Sequence, residues 1–263
     1  MKTTENIKNI VIAGGSSGIG LALVQKLDAG KKNIVNISRS ACPVAGVRNI
    51  ITDLAVPEEI DAAFSRIDRI DALIYCAGMS LAAPVEYTET ADYRKLFEVN
   101  FLGAAECVKL AMPMLRASGD GRIILLASSG GVAPIAFDAF YSASKSALMT
   151  FAEAINLETE NVRATAVVIG GTKTRFSFKR KIYTDCGDYD RDLKAAADSL
   201  IKMEQTGYNA NRIADGIIKV LVNDAPPPAV TIGFKNKAQL LAYKVMPSCA
   251  RRAVLRSVYG INK

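Results

Sequence analysis

Short runs of consecutive apolar residues alternate along this chain with longer stretches whose apolar positions recur every three or four residues. The runs predict strands at Ile10–Ala13, Ile34–Ile37, Asn49–Thr52, Ala72–Tyr75, Arg122–Ala127, Arg163–Val168 and Ala229–Ile232. Several are hydrophobic almost throughout rather than at alternate positions, the pattern of strands covered on both faces in a parallel sheet. Between them the helical period predicts Ile19–Leu27 ending at Gly30, Glu58–Ile67, a long helix over Asp92–Leu115, Ala139–Glu158 and Asn211–Val222. Strand and helix in near-strict turn build βαβ units. The fold class is therefore α/β: a doubly wound parallel sheet of seven strands flanked by helices, in a single domain over residues 1–234.

Two segments depart from this rhythm. Thr172 to Asn209 is too long and irregular for an ordinary connection and is expected to be a lid, with Phe176, Phe178, Tyr183 and Tyr189 among its charges. Met79, Leu81, Ala82 and Pro84 offer an apolar wall opposite, although ordinary core packing explains these residues equally well. Residues 235–263 form a tail of two short helices, Lys237–Val245 and Ser248–Tyr259, parted by Pro247.

Charge changes the picture of the tail alone. The formal net charge is +7, yet Ala225 to Lys263 holds no acidic residue and seven basic ones, so the preceding body is neutral (26 basic, 26 acidic). A neutral body argues against nucleic-acid binding. The basic tail fits either a solvated helix face packed on the body or contact with an anionic membrane surface. Five dispersed cysteines without metal or redox spacing, and a chain without histidine, argue against a metal site and for a reducing, cytoplasmic setting, with peripheral membrane contact through the tail as the variant. The opening residues are polar and no apolar run is long enough to span a bilayer.

Without histidine, proton chemistry near neutrality needs another pair. Tyr141-Ser-Ala-Ser-Lys145 sets a phenol and an ammonium one helical turn apart, where a lysine favours the phenolate. A second motif, Ala13-Gly14-Gly15-Ser16-Ser17-Gly18-Ile19-Gly20, follows the first strand and opens the first helix. Its glycines permit a tight turn and close approach of a pyrophosphate to the helix N-terminus. After the second strand stands Ser38-Arg39-Ser40, and no acid occurs between Gly30 and Asp53. An arginine there suits the 2′-phosphate of NADP, so NADP(H) is the expected cofactor and NAD(H) the alternative. Asp53-Leu54 follows the third strand, where Asp53 either accepts from an adenine amino group or caps the helix near Pro57.

Taken together, the glycine loop, Tyr141-x-x-x-Lys145 and the strand order resemble the short-chain dehydrogenase/reductase family, a Rossmann fold, from about Asn9 to Gly233. Ala77-Gly78, after Cys76, is similar to the end of the family's Asn-Asn-Ala-Gly turn, Asn100 to its helix asparagine, and Ile169-Gly170 with Thr174 to Pro-Gly-x-x-x-Thr. Ser128 lies at the family's 13-residue spacing before Tyr141, with Ser129 one residue off. The resemblance implies hydride transfer at nicotinamide, with Tyr141 as general acid/base and Ser128 bonded to the substrate oxygen. It implies Lys145 on the nicotinamide ribose and lowering the tyrosine pKa, Asn100 anchoring a relay water, and Thr174 at the carboxamide. Ala13, Tyr75-Cys76 and Ile169 depart from the family's threonine, Asn-Asn and proline.

The expected function is interconversion of a hydrophobic carbonyl and secondary alcohol, steroid-, retinoid- or lipid-like, by a homodimer or homotetramer meeting through the long helices. Alternatives are a small-ketone or 3-oxoacyl reductase, a non-redox epimerase or dehydratase, and an NADP(H)-sensing regulator.

Overall fold

A computed structural model describes residues 7–28 and 32–261. The expected helix end at Gly30, the first six residues and Lys263 lie outside the described residues. Seven strands form one parallel sheet: β1 (Asn9–Ala13), β2 (Asn33–Ser38), β3 (Arg48–Ile51), β4 (Ala72–Tyr75), β5 (Gly121–Ser128), β6 (Val162–Ile169) and β7 (Ala229–Thr231). Their order across the sheet is β7-β6-β5-β4-β1-β2-β3. The central β1 pairs with β2 (Ala13 opposite Ile37) and with β4 (Ala13 opposite Tyr75). The chain order therefore reverses beside β1, and the crevice at the carboxyl ends of β1 and β4 is where such folds hold ligands.

Alternate residues of each strand feed two cores. Val11, Leu73, Tyr75, Ile123 and Leu125 face helices α2 (Pro57–Phe64), α4 (Gly103–Ala117) and α5 (Ala139–Glu158). Ile10, Ile12, Ile74 and Ile124 face α1 (Gly18–Asp28) and α7 (Ala210–Leu221). Both faces are thus sealed, which is why the strands read as unbroken apolar runs. A fully buried leucine such as Leu73 or Leu148 stabilises the fold by roughly 2 kcal/mol through burial alone.

Four expectations need correction. The helix over Asp92–Leu115 is present but not regular: α3 (Thr90–Phe97) passes through a π turn at Glu98–Leu102 into α4. Thr172–Asn209 is not largely irregular, because α6 (Asp190–Gln205) occupies 16 of its residues and buries Leu193, Ala196, Ala197 and Leu200 on one edge. The helix Glu58–Ile67 stops at Phe64, and only single hydrogen-bonded turns continue it. In the tail, α8 (Phe234–Val245) starts three residues earlier than expected, and α9 (Ser248–Val258) follows Pro247.

Candidate active site

The glycine loop lies between the carboxyl ends of β1 and β4. Gly14 has a φ of +88°, and a side chain there would put its Cβ 2.9 Å from the Ala77 amide nitrogen. Cys76 N donates to Ala13 O at 2.8 Å and Gly14 N to Ile37 O at 2.9 Å. The backbone thus makes the tie between the two turns that neither Ala13 nor Cys76 makes by side chain. Tyr75, in place of the family's asparagine, instead donates its hydroxyl to Val99 O in the π turn. A Cβ on Gly20 would meet Gly14 O at 2.1 Å, so α1 also closes on the loop through a glycine. Gly18 has a φ of +56° with Thr174 across from it, while Ser16 is half-buried and Ser17 exposed before Ile19 packs inward. A bare backbone cradle at a helix N-terminus is what a dinucleotide pyrophosphate requires.

Sequence reasoning missed Asn36. This fully buried side chain on β2 accepts from Gly15 N at 2.8 Å and donates to Asn49 Oδ1 at 2.8 Å. It holds the loop from beneath, and its only signal was one polar residue inside an apolar run. Just beyond it, Ser38 is buried and donates to Ser40 O, whereas Arg39 and Ser40 are exposed at the end of β2. Asp53 does not cap α2: its Oδ1 accepts from Ala55 N, and Val56 at the N-cap has no side-chain bond. Leu54 is buried beneath it, and a Cβ on Gly103 would strike its carbonyl.

The catalytic candidates converge at the other side of the crevice. Helix α5 places Tyr141 and Lys145 one above the other, both buried, with the Lys145 ammonium 5.8 Å from the Tyr141 ring centre. Lys145 Nζ donates to Leu126 O at 2.9 Å. Asn100 is drawn out of the helical ladder by the π turn. Its Oδ1 accepts from Met79 N at 2.8 Å, and its Nδ2 donates to Met79 O at 2.9 Å and Ser144 Oγ at 3.0 Å. Ser144, also missed, then donates to Tyr141 O. Gly78 lies between these groups: a Cβ there would stand 3.3 Å from Lys145 Nζ and 3.4 Å from Asn100 Oδ1. Ser128, at the end of β5, is buried and accepts from Gly130 N, while Ser129 is half-buried and starts the next turn.

Burial dominates the electrostatics. It pushes the Tyr141 phenol up to about 12 against the hydrogen bond with Ser128 that lowers it. It brings the Lys145 ammonium down to about 8. The lysine, rather than the tyrosine, therefore stands nearest to neutrality in this structure.

The segment expected as a lid closes part of this space. Lys181–Ile182 pairs in parallel with Leu81–Ala82, and Thr172–Lys173 with Tyr208–Asn209. Leu81 and Tyr141 form one apolar cluster with Met79, Phe176 and Tyr183, the Phe176 ring lying 6.0 Å from that of Tyr141. Phe178 is exposed and takes no part, and Tyr189 packs instead against Tyr87 and Phe137. Ile169 ends β6, and Gly170 is covered by the Asn236 amide of α8.

A buried polar group next to Tyr141 was not foreseen. Asp138, immediately before α5, does not cap the helix but accepts from Ser80 Oγ and Leu81 N. Arg180 donates to Ser80 Oγ at 2.7 Å. Phe137, with a left-handed φ of 60°, turns the chain into this position. Among the described residues no cluster of acidic, cysteine or histidine side chains suits a metal ion.

Comparison with known proteins agrees with this arrangement. The family model described as short chain dehydrogenase matches residues 8–182. The chain is 29% identical over 270 residues to a 3-ketodihydrosphingosine reductase of Bacteroides thetaiotaomicron, covering 96% of this chain and 98% of that one. It is 27% identical over 248 residues to human retinol dehydrogenase 8, covering 84% and 79%. A short-chain dehydrogenase structure from Streptomyces avermitilis superimposes with a TM-score of 0.80 at 22% identity, over 97% of both chains. A relative from Burkholderia phymatum in complex with NAD has a TM-score of 0.79 at 17% identity, covering 91% and 94%. The glycine cradle, the buried tyrosine–lysine pair and these matches together place the chain in the short-chain dehydrogenase/reductase family of NAD(P)-dependent oxidoreductases acting on CH–OH and C=O groups.

Proposed function

We propose that the protein is an NADP(H)-dependent oxidoreductase that interconverts a hydrophobic, lipid-like carbonyl compound and its secondary alcohol. The observation that carries this reading is the burial of Tyr141, Ser128 and Lys145 beside an apolar wall of Met79, Leu81, Phe176 and Tyr183. The relatives named for 3-ketodihydrosphingosine and for retinol point to apolar substrates of the same kind.

Gly14 to Gly20, with Asn36 beneath them, would hold the pyrophosphate, and Arg39 the 2′-phosphate. Asp53 and Leu54 would border the adenine, Cys76 to Gly78 the adjoining ribose, and Ile169, Gly170 and Thr174 the nicotinamide. When bound, the cofactor supplies or accepts hydride at its nicotinamide ring.

The chain itself handles the proton. With a phenol pushed up to about 12, Tyr141 is protonated at neutral pH and is ready to donate to a carbonyl oxygen held by Ser128. An alkoxide forming there is a strong enough base to take that proton. Lys145, near 8, can replace it at little cost. Asn100, facing the same space beside Gly78, would orient the water that leads outward. The apolar wall keeps bulk water from the reacting carbon. A cytoplasmic setting and a dimer or tetramer through α4 and α5 belong to the same reading; all five cysteines are free thiols.

The test is a screen of steroid, fatty and small ketones with NADPH and NADH, followed at the nicotinamide absorbance. Tyr141→Phe should lower kcat by about 10²–10⁴ with NADPH affinity retained. Unchanged turnover in that variant would end the proposal.

A further inference from the structure

Helix α8 touches the body along one edge only. Asn236, Leu240 and Tyr243 recur at helical spacing and turn inward: Leu240 is buried, the Asn236 amide covers Gly170 and donates to Ile232 O, and Tyr243 is half-buried. The opposite edge is apolar and open to solvent. Phe234 is 84% exposed, Leu241 64% and Val245 75%, with Ala238 exposed among them. At about 100° per residue these four positions fall within an arc of roughly 60°. Lys237 and Lys244 flank the arc on one side and Lys235 on the other. A helix on the surface of a globular protein usually turns its apolar stripe inward, and α8 carries a second apolar stripe outward between exposed lysines. An apolar strip exposed in this way marks an interaction surface.

Charge selects the occupant. A second copy docking by the same edge would bring lysine rows face to face, and no carboxylate exists between Ala225 and Lys263 to relieve them. An anionic bilayer meets both requirements, with acyl chains for the apolar arc and phosphates for the flanking ammonium groups. Helix α9 adds to the same chemistry through exposed Val254, Val258 and Arg252. Arg251 is used differently: it stacks over Tyr243 and donates to Lys244 O and Met246 O, fixing the corner between the two helices. Tyr259, at the end of α9, is buried against Ala196 and Leu200 of α6, so the tail is joined to the segment that covers the site.

We propose that the outer edge of α8 seats the protein on an anionic lipid bilayer. Phe234, Leu241 and Val245 enter the acyl layer, and Lys235, Lys237 and Lys244 meet lipid phosphates. The inference stands apart from the redox reading, and its test uses no turnover. The full chain is sedimented with vesicles of phosphatidylcholine alone and of phosphatidylcholine mixed with phosphatidylglycerol, at low and high salt. It should sediment with the mixed vesicles only, and less at high salt. The triple variant Phe234→Ser/Leu241→Ser/Val245→Ser should stay in the supernatant. The triple variant Lys235→Gln/Lys237→Gln/Lys244→Gln should bind on the order of a hundredfold more weakly. All six side chains project from one exposed helix, and circular dichroism melts should confirm that the fold is kept. Wild-type protein that ignores anionic vesicles, or a serine variant that binds them equally well, overturns the proposal. So does a wild-type oligomer that the serine variant converts to a smaller species in sedimentation velocity, since the edge would then be a contact between copies.

Discussion

Arg180 and Asp138 face each other at 3.9 Å with both side chains closed to solvent, 3% and 1% exposed. Ser80 stands between them, receiving Arg180 Nε at 2.7 Å and donating to Asp138 Oδ2 at 2.5 Å. Glu204 of α6 lies 3.7 Å from the other side of the guanidinium. The segment after Thr172 is thereby tied to the residue that precedes the helix of Tyr141 and Lys145. The ion pair alone would lower the aspartate pKa, yet burial outweighs it and leaves Asp138 at about 6. A serine-bridged pair at this distance does not offset the loss of water.

The raised pKa has a consequence for stability. Asp138 binds its proton more tightly folded, at about 6, than unfolded, near 3.8. Its contribution is therefore fully present below pH 3.8 and is lost as pH rises through about 6. Urea unfolding of wild type and Asp138→Asn across that window should show the wild type losing on the order of 3 kcal/mol relative to the variant. A pH-independent difference would refute the assignment.

Arg180→Met should destabilise the fold by about 3 kcal/mol, because it removes the buried cation that faces Asp138. In a double-mutant cycle with Asp138→Asn the two losses should couple by more than about 1 kcal/mol. Strict additivity would mean that the two side chains are merely neighbours.

Gly14→Ala combines a strained φ with a clash against Ala77 N. It should cost about 1–3 kcal/mol of stability and weaken NADPH binding at least about tenfold. Calorimetric titration measures the affinity, and thermal unfolding with and without NADPH measures the stability.

Asn100→Ala strips partners from Met79 N, Met79 O and Ser144 Oγ at once. The expected loss is on the order of 2–3 kcal/mol in chemical denaturation. An effect below about 0.5 kcal/mol would show that the π turn holds without its amide.

Arg39→Ala should raise the Kd for NADPH by about tenfold or more and leave NADH nearly unchanged. Equal losses for both cofactors would remove Arg39 from the phosphate site.

The strands were legible because burial on both faces leaves few polar residues inside them, and Ile10–Ala13 and Ala72–Tyr75 could hardly read otherwise. Motif spacing likewise singled out Tyr141, Lys145 and Ser128, which the fold brings together. What escaped reading was non-local. Asp138 and Ser80 are 58 residues apart, Arg180 and Ser80 a hundred, and nothing local in any of the three marks the contact. Helix α6 escaped for another reason. Two of its four buried positions are alanines, whose small side chains give a faint period beside so many charges. The break at Glu98–Leu102 contains no glycine or proline, so no local signal marks the π turn that sets Asn100 against Met79.

That widened turn means that one residue in the middle of the long helix is surplus to regular coiling. Deleting a single position there would let α3 and α4 fuse into one uninterrupted rod and swing the asparagine away from its neighbours. The chain carries a mismatch that a simple deletion could repair, and the cost of the repair would be the side of the cleft that faces the reacting groups.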